Sequence, residues 1–519
     1  MPTPAEKLAE SLEELRKIQS EDGITAIQAS SLSRTHRERL LENGFIQEVI
    51  KGWYIPCRPG TKPGDTTSWY TNFWKFCSDY LNNRFSGRWC LSPEQSISIH
   101  SGNWTVPKQL LVRSPKANNN LTNLLHGTSI LEITLKIPQK NDINVKNGVN
   151  IYSLTMALIS CSESFYVQFP SDIRAALLLI KDSSEILNPL LDGGHSLIAG
   201  RLTGAFRNIK RSKIADDIIN TMKSAGYDVR EKDPFDDKLP IILSERDKSA
   251  VALRIKLMWQ QMRNIVIENF PEAPGSAKDI SEYLKKVEDI YKLDAYNSLS
   301  IEGYDVSVEL IEKVRSGNWD PIGSKEDIEH KNALAARGYW QAFQKVKESI
   351  QKILTGQNPG AIIYSDHGSW FRELFAPSVT AGILKPSDLA GYRNNDVFIS
   401  QSRHVPPDPD SVRDAMPTLF ELLEEETEPS VKAVLGHFFF VYIHPYSDGN
   451  GRIARFLMNT LLASGGYPWT VIPVDKRENY MAALEKASVD QDISVFAAFI
   501  ANLTKEQMKK ESSFNIRNS

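Results

Sequence analysis

Apolar positions recur at helical spacing along most of the chain, and strand-like alternation appears in its first third. Ala5 to Ile18 places Leu8, Leu12 and Leu15 on one face, which predicts an amphipathic helix. Thr25 to Leu32 and Arg34 to Asn43 read as two short helices, the second closed by Gly44. Phe45 to Pro56 alternates like two strands about Lys51-Gly52. Helix, turn, helix and hairpin outline a winged helix-turn-helix over residues 1–60. Within residues 61–230, Trp69 to Asn82 and Ser164 to Ser224 predict helices. Trp89 to Ile99, Gln109 to Val112 and Ser129 to Lys136 predict strands between Asn, Gly and Pro turns, giving a small α+β domain. Glu231 to Asp247, charged and proline-punctuated, marks the main boundary. From 248 to 510 the pattern is helical, and Val431 to Ile443 is its most apolar run. The expected fold class is therefore mainly α.

Composition narrows the function. Apolar residues at 41% and charged residues at 24% are ordinary for a soluble globular protein. A net charge of −3 gives no global footprint for nucleic acid or membrane. Cys57, Cys77, Cys90 and Cys161 have no metal-ligand spacing and read as thiols in a reducing compartment. The N-terminal stretch is acidic and amphipathic, unlike a signal peptide, and no apolar run is long enough to span a bilayer. A cytoplasmic protein is expected.

Between the two most apolar helical runs lies His444-Pro445-Tyr446-Ser447-Asp448-Gly449-Asn450-Gly451-Arg452-Ile453-Ala454-Arg455. Pro445 ends the first helix, and a second runs from Ile453 to Gly465-Gly466. The stretch is a polar turn feeding a helix N-terminus, where unpaired N–H groups and the positive end of the dipole favour phosphate. Gly449 and Gly451 let the backbone approach a ligand, and Arg452 and Arg455 supply forked cations for phosphate oxygens. Asp448 suits a magnesium ion held mostly by phosphates and water. His444 is the group able to act as a base near neutrality. The glycines do not follow the P-loop pattern.

This stretch resembles the Fic motif, H-P-[FY]-x-[DE]-G-N-G-R-x-x-R, and matches every fixed position. The resemblance implies an all-helical core with a β-hairpin flap, and transfer of AMP from ATP, with Mg2+, to a hydroxyl side chain of a protein. It implies that His444 deprotonates the target hydroxyl and Asp448 holds magnesium. Gly449, Asn450 and Gly451 would cradle the phosphates, with Arg452 and Arg455 on the outer ones. Phosphorylating relatives usually depart from Gly-Asn-Gly, so AMP transfer is favoured over kinase action. Ser298-Leu299-Ser300-Ile301-Glu302-Gly303 matches the family's inhibitory pattern [ST]-x-x-x-E-[GN]. Ser298 and Glu302 share a helical face, Gly303 can end the turn, and Glu302 would withdraw Arg455 from the ATP γ-phosphate.

Gly391 to Ile399 resembles the flap, with Asn395, Asp396 and Val397 near nucleotide and a protein substrate docking by strand addition. Tyr480 stands where relatives contact adenosine, although Ser488 replaces an asparagine usual eight positions on. His437 reads as a core residue. Residues 1–60 are similar to the N-terminal domain of AbiEi-type antitoxins, which raises DNA as a partner through Arg34, His36, Arg37 and Arg39. Three readings stay open: an auto-inhibited adenylyltransferase that also modifies itself, an enzyme removing AMP from protein, and a DNA-binding regulator with a modulatory Fic half. The sequence fixes neither the target nor whether the chain forms a homo-oligomer.

Overall fold

The computed structural model describes residues 3–22, 25–60, 65–236, 249–277, 279–317 and 327–518. Helices dominate: twenty α-helices occur among the described residues, and the β-structure is limited to sheets of three, four and two strands. Two units are formed, one by residues 1–254 with 398–405, the other by residues 255–397 with 406–519. Residues 237–247 of the predicted boundary segment lie outside the described residues.

The first unit opens with the helix Pro4–Asp22, the helix Arg34–Glu42 and the hairpin Ile46–Ile50/Trp53–Pro56. The predicted helix at Thr25 to Leu32 is reduced to a single 3-10 turn, Ala29–Ser31. Ile27 and Gln28 instead pair antiparallel with Tyr54 and Trp53, and the Thr25 and Ala26 amides donate to Asp79 Oδ2 at 3.0 and 3.1 Å. With the amides of its first half taken by a strand and a carboxylate, the segment cannot build an α-helical ladder there. A second sheet carries Gln109–Ser114 parallel to Ser129–Thr134. The run from Trp89 to Ile99 is a strand only at Cys90–Leu91, because Ser92 caps a helix, Pro93–His100, that begins on proline. Trp69, Phe73, Phe76 and Trp89 fill the core beside these elements, and the buried Trp69 indole donates to Thr128 Oγ1 at 2.9 Å.

The Arg34–Glu42 helix spends its cations within its own domain. Arg37 donates to the Ala29 carbonyl at 2.7 Å, and Arg39 donates to the Lys7 carbonyl and to Ser11 Oγ. The His36 ring bonds Ser11 Oγ at 2.9 Å, and the exposed Arg34 pairs with Glu38 one turn on. Guanidinium groups already given acceptors inside the fold add little to a phosphate footprint.

In the second unit, the helices Pro429–Ile443 and Asn450–Ser464 are buried almost all round; the first is apolar on nearly every face, whereas the second also buries Asn450, Arg452, Arg455 and Asn459. Gly436 lets them pack closely: a Cβ there would lie 2.9 Å from Leu457 Cδ2. The helix Ile280–Ile301 starts on an Asp279 cap. It ends in a Schellman motif, with Gly303 N–H donating to Ser300 O and Tyr304 N–H to Leu299 O while Gly303 takes φ 85°.

The flap resemblance predicts a hairpin, but residues 391–407 contain no strand. Phe398–Val405 groups with the first unit, where the Val106 amide donates to the Arg403 carbonyl at 2.8 Å. The arm that would pair back is thereby engaged elsewhere.

The acidic run Glu424–Glu426 is not the solvated loop its charge suggests. Glu424 and Glu425 end the helix Pro409–Glu425, and Glu426 is buried. The Arg263 guanidinium grips its carboxylate with two 2.8 Å bonds, and Glu426 Oε1 also accepts from the Thr427 and Glu428 amides. Removing one partner of a buried pair costs about 3–5 kcal/mol, and partial rehydration of Arg263 reduces that. We expect Glu426→Ala to lose about 2–3 kcal/mol in a denaturant melt, whereas Glu424→Ala, on the exposed face, should change stability little.

Candidate functional site

The two buried helices of the second unit are joined by a bend that starts at His444, whose backbone is left-handed (φ 53°). The bend closes on Gly449, also left-handed (φ 80°), as the N-cap of the next helix. Asn450 staples it from within: its Oδ1 accepts from the Tyr446 amide at 2.9 Å and its Nδ2 donates to the Tyr446 carbonyl at 2.8 Å. The Asn450 side chain thus holds the loop closed. The Tyr446 ring, in the motif's aromatic position, stacks on Phe371 with centroids 3.9 Å apart and planes 6° apart.

His444 Nδ1 lies 3.1 Å from the Val441 carbonyl, which places the proton on Nδ1 and leaves the Nε2 lone pair free. Burial pushes the imidazole down to about 4, the Val441 carbonyl partly opposes this, and the Arg393 charge lowers it further. A neutral imidazole with a free lone pair is a general base ready for use. Asp448 is mostly exposed, and its Oδ1 accepts from the Gly449 amide at 2.5 Å and from Arg452 at 3.3 Å. Among the described residues no group of three or more His, Cys, Asp or Glu side chains is placed to hold a metal. A lone carboxylate beside a phosphate cradle is instead the donor set of a magnesium ion that arrives with phosphates.

Arg452 is 1% exposed and its guanidinium lies between two rings, 5.3 Å from the Tyr304 centroid and 5.0 Å from that of Phe375. Arg455 is 3% exposed; its Nε donates to Ser298 Oγ at 2.9 Å and its Nη2 to Ser298 O at 3.0 Å and Glu302 Oε1 at 2.7 Å. Two of their donors, Arg452 Nε and Arg455 Nη1, are buried and have no acceptor. Buried, unsatisfied guanidinium N–H groups at a helix N-terminus are the complement of an anion. Burial alone would raise the Glu302 carboxyl, but Arg455 and then Arg452 hold it below the usual carboxylate range. Gly451 makes this pairing sterically feasible, since a Cβ there would sit 2.4 Å from Glu302 Oε1.

The structure therefore gathers His444, Asp448, Gly449, Asn450, Gly451, Arg452, Arg455, Ser298, Glu302 and Gly303 into one region. Tyr480 is 1% exposed, with its hydroxyl 2.9 Å from His437 Nε2 and the Arg455 guanidinium beside it. His437 is fully buried, as a core reading expects, and Ser488 is buried too. Asn395 and Asp396 are exposed and Val397 half-buried, on an irregular segment. Three neighbours escaped sequence reasoning. Arg393 donates to the His444 carbonyl at 2.8 Å. Tyr304 and Phe375 flank Arg452 from a turn and a helix far apart in the chain. Tyr304 had a usable signal, an aromatic residue directly after the Glu302-Gly303 pair, whereas Phe375 had none.

Residues 367–462 match the Fic/DOC family. The chain is 30% identical over 224 residues to protein adenylyltransferase Fic of Nematostella vectensis, covering 42% of this chain and 48% of that one. To protein adenylyltransferase Fic of Drosophila willistoni it is 37% identical over 131 residues, covering 24% and 26%. The chain thus spans about half or less of the length of these curated relatives. Among solved structures, Fic-1 (residues 134–508) from C. elegans aligns at 18% identity over 65% of this chain and 93% of that one, with a TM-score of 0.38.

The His444 environment sets a pH expectation. A folded value near 4, below the ordinary 6.5, means that protons bind the unfolded chain more readily, so stability falls as pH drops from about 6.5 towards 4. Base-dependent activity should persist across neutral pH and disappear on the acid side near 4. NMR titration of the imidazole signal that vanishes in His444→Gln should give a midpoint well under 6; a midpoint at 6.5 or above contradicts this environment.

Proposed function

We propose that this chain, which carries a Fic domain, is an auto-inhibited protein adenylyltransferase transferring AMP from ATP to a hydroxyl side chain of a protein, itself included. The observation that carries the reading is the pair of buried, acceptor-less donors, Arg452 Nε and Arg455 Nη1, at a helix N-terminus beside a neutral histidine. We assign the chemistry to residues 248–510, with His444 as base. Arg452, Arg455 and the main chain of Gly449, Asn450 and Gly451 receive the phosphates. Magnesium, when bound, would be held by Asp448 with the phosphates and would neutralise charge on the departing group.

In this reading the target hydroxyl attacks the α-phosphorus in line. Its proton passes to His444 Nε2, the new O–P bond forms, the bond to the β-phosphate oxygen breaks, and pyrophosphate leaves. Positioning and charge neutralisation supply most of the acceleration, as is usual in phosphate chemistry. The target is expected to align along the segment holding Asn395, Asp396 and Val397, which is largely exposed and lies outside any strand, and so is suited to strand addition.

Glu302 is the proposed brake, acting with Ser298 on Arg455. Holding the site 99% closed requires a bias of about 2.7 kcal/mol. A fully buried pair is worth about 3–5 kcal/mol against removal of one partner, and an exposed one under about 1. Arg455 is buried here while the Glu302 side chain is 26% exposed, which places the pair between these limits. A bias of about 2 kcal/mol leaves roughly 3% open, so weak basal activity is expected. Hydrolysis of AMP–protein bonds would use the same groups with water in place of the hydroxyl. We assign residues 1–60 no nucleic-acid role, because the basic side chains of the Arg34–Glu42 helix are engaged within the domain. Four unpaired cysteines support a reducing, cytoplasmic setting; no described helix is long and apolar enough to cross a membrane.

The test is incorporation of label from α-phosphate-labelled ATP, with magnesium, into protein. We expect strong labelling by Glu302→Gly, weak labelling by the unaltered protein and none by Glu302→Gly/His444→Ala, since a general base contributes about 10²–10⁴ in rate. Release of label from pre-modified protein, with no incorporation by any variant, would instead favour AMP removal.

A further inference from the structure

Arg393 is the buried residue of the otherwise exposed or half-exposed segment 391–397, at 3% exposure. Its main-chain N–H donates to the Pro445 carbonyl at 2.9 Å. Its Nε donates to the His444 carbonyl at 2.8 Å, and its Nη2 reaches the Ile443 carbonyl at 3.5 Å. The same guanidinium turns back on its own segment, with Nη1 donating to the Asn395 carbonyl at 3.0 Å and Nη2 to the Pro407 carbonyl. One planar fork therefore joins Ile443 and His444 to both ends of the 395–407 segment, while the main-chain N–H of the same residue holds Pro445.

A surface arginine needs none of this, and an arginine present only for charge would seek a carboxylate. This guanidinium is spent on main-chain carbonyls, which have no side-chain freedom and cannot swing away. Its acceptors include the carbonyl of His444 itself, a non-glycine residue held in the left-handed region, where the backbone needs outside support. The Asn395 carbonyl lies on the segment where a target is expected to align.

We propose that Arg393 is a positioning residue that fixes the spacing between the docking segment and His444, so that a hydroxyl aligned on residues 395–397 arrives in register with Nε2. This rests on the AMP-transfer reading above. Arg393 touches neither hydroxyl nor phosphate; it acts through His444 and the docking backbone. Lysine would keep the charge but not the fork, and so could satisfy only part of the carbonyl set. A misplacement of about 1 Å can cost about a hundredfold in a positioned reaction.

Charge provides an independent readout. The charged groups facing His444 are Arg393, which favours the neutral ring, and Glu302 and Asp448, which favour the protonated one. Removing the Arg393 charge should move the acid limb of activity to higher pH, while lysine should leave it nearly in place.

The experiment uses the full chain with Glu302→Gly as parent, adding Arg393→Lys or Arg393→Gln, with α-phosphate-labelled ATP and magnesium. Melting temperature and equilibrium ATP binding are measured alongside. We expect Arg393→Lys to incorporate label at least about tenfold more slowly at saturating ATP, with ATP affinity within about twofold of the parent. Arg393→Gln should be slower still, with its acid limb shifted upward. Equal rates in parent and Arg393→Lys would overturn the positioning role alone. So would a loss of ATP binding and melting temperature together in both variants, which marks a general structural part. Absence of label from the parent would overturn the transfer reading itself, a separate outcome.

Discussion

A guanidinium buried in a helical core must be given acceptors, and the second unit is arranged around that requirement at Arg455. Ser298 supplies a hydroxyl and a carbonyl, and Glu302 supplies a carboxylate, all from the last turn of the helix Ile280–Ile301. That helix is pinned by contacts of its own. The buried Asp294 carboxylate accepts from the Tyr339 hydroxyl at 2.6 Å and the Trp469 indole at 2.9 Å. Asn297 Oδ1 accepts from the Val474 amide, and Arg477 donates to the Ile301 carbonyl. Glu302 stands just past these anchors, at the Schellman turn. The helix body is thus fixed while the carboxylate at its end has only Arg455 and partial solvent to choose between. Under the proposed auto-inhibition, release of the site needs a side-chain exchange at one helix terminus rather than movement of the whole helix.

That geometry has a cost the protein can bear because Arg455 is never left wholly unsatisfied. When Glu302 departs, Ser298 Oγ and O remain, and a phosphate can replace the carboxylate on Nη2 while also meeting Nη1. Carboxylate and phosphate are interchangeable partners for a guanidinium fork, so in the proposed reading brake and nucleotide compete at one atom. Gly451 is decisive on both sides of this exchange. Without a side chain it admits the Glu302 carboxylate in one state and gives a phosphate close access to the main chain in the other.

Much of this was legible in the sequence, where local chemistry and structure coincide. The all-round apolar run at Val431–Ile443 announced a buried helix, the glycines and Pro445 announced the bend, and Gly303 announced the helix stop. The misreadings arose where a distant partner overrode local pattern. Thr25–Leu32 has helical spacing, but Asp79 and the strand at Trp53 capture its amides. Glu426 reads as one of three solvated acids, but Arg263, 163 positions away, buries it. The flap residues suggest a hairpin, yet the returning arm bonds Val106. The pairing of Asn450 with the Tyr446 main chain, four residues back, becomes visible only once the bend is closed. Arg393 gave no signal because its acceptors are main-chain carbonyls, which any residue carries and no composition reveals.

Three buried arginines around the bend differ in how replaceable their partners are, and that ranking gives each a distinct use. Arg393 is held by carbonyls of the backbone, which no solute can displace without unmaking the bend; its contacts are permanent and suit a fixed distance. Arg455 is held partly by a carboxylate that a phosphate can imitate, so its contact is exchangeable and suits a switch. Arg452 lies between, cushioned by the Tyr304 and Phe375 rings and bonding the exposed Asp448 at 3.3 Å. Aromatic faces stabilise the cation without occupying its N–H groups, so Arg452 stays oriented while its Nε remains open to an incoming anion. The proposed function, binding phosphate, keeping a base in place and staying silent until released, calls for all three kinds of partner, and one cation type provides them by differing only in what faces it.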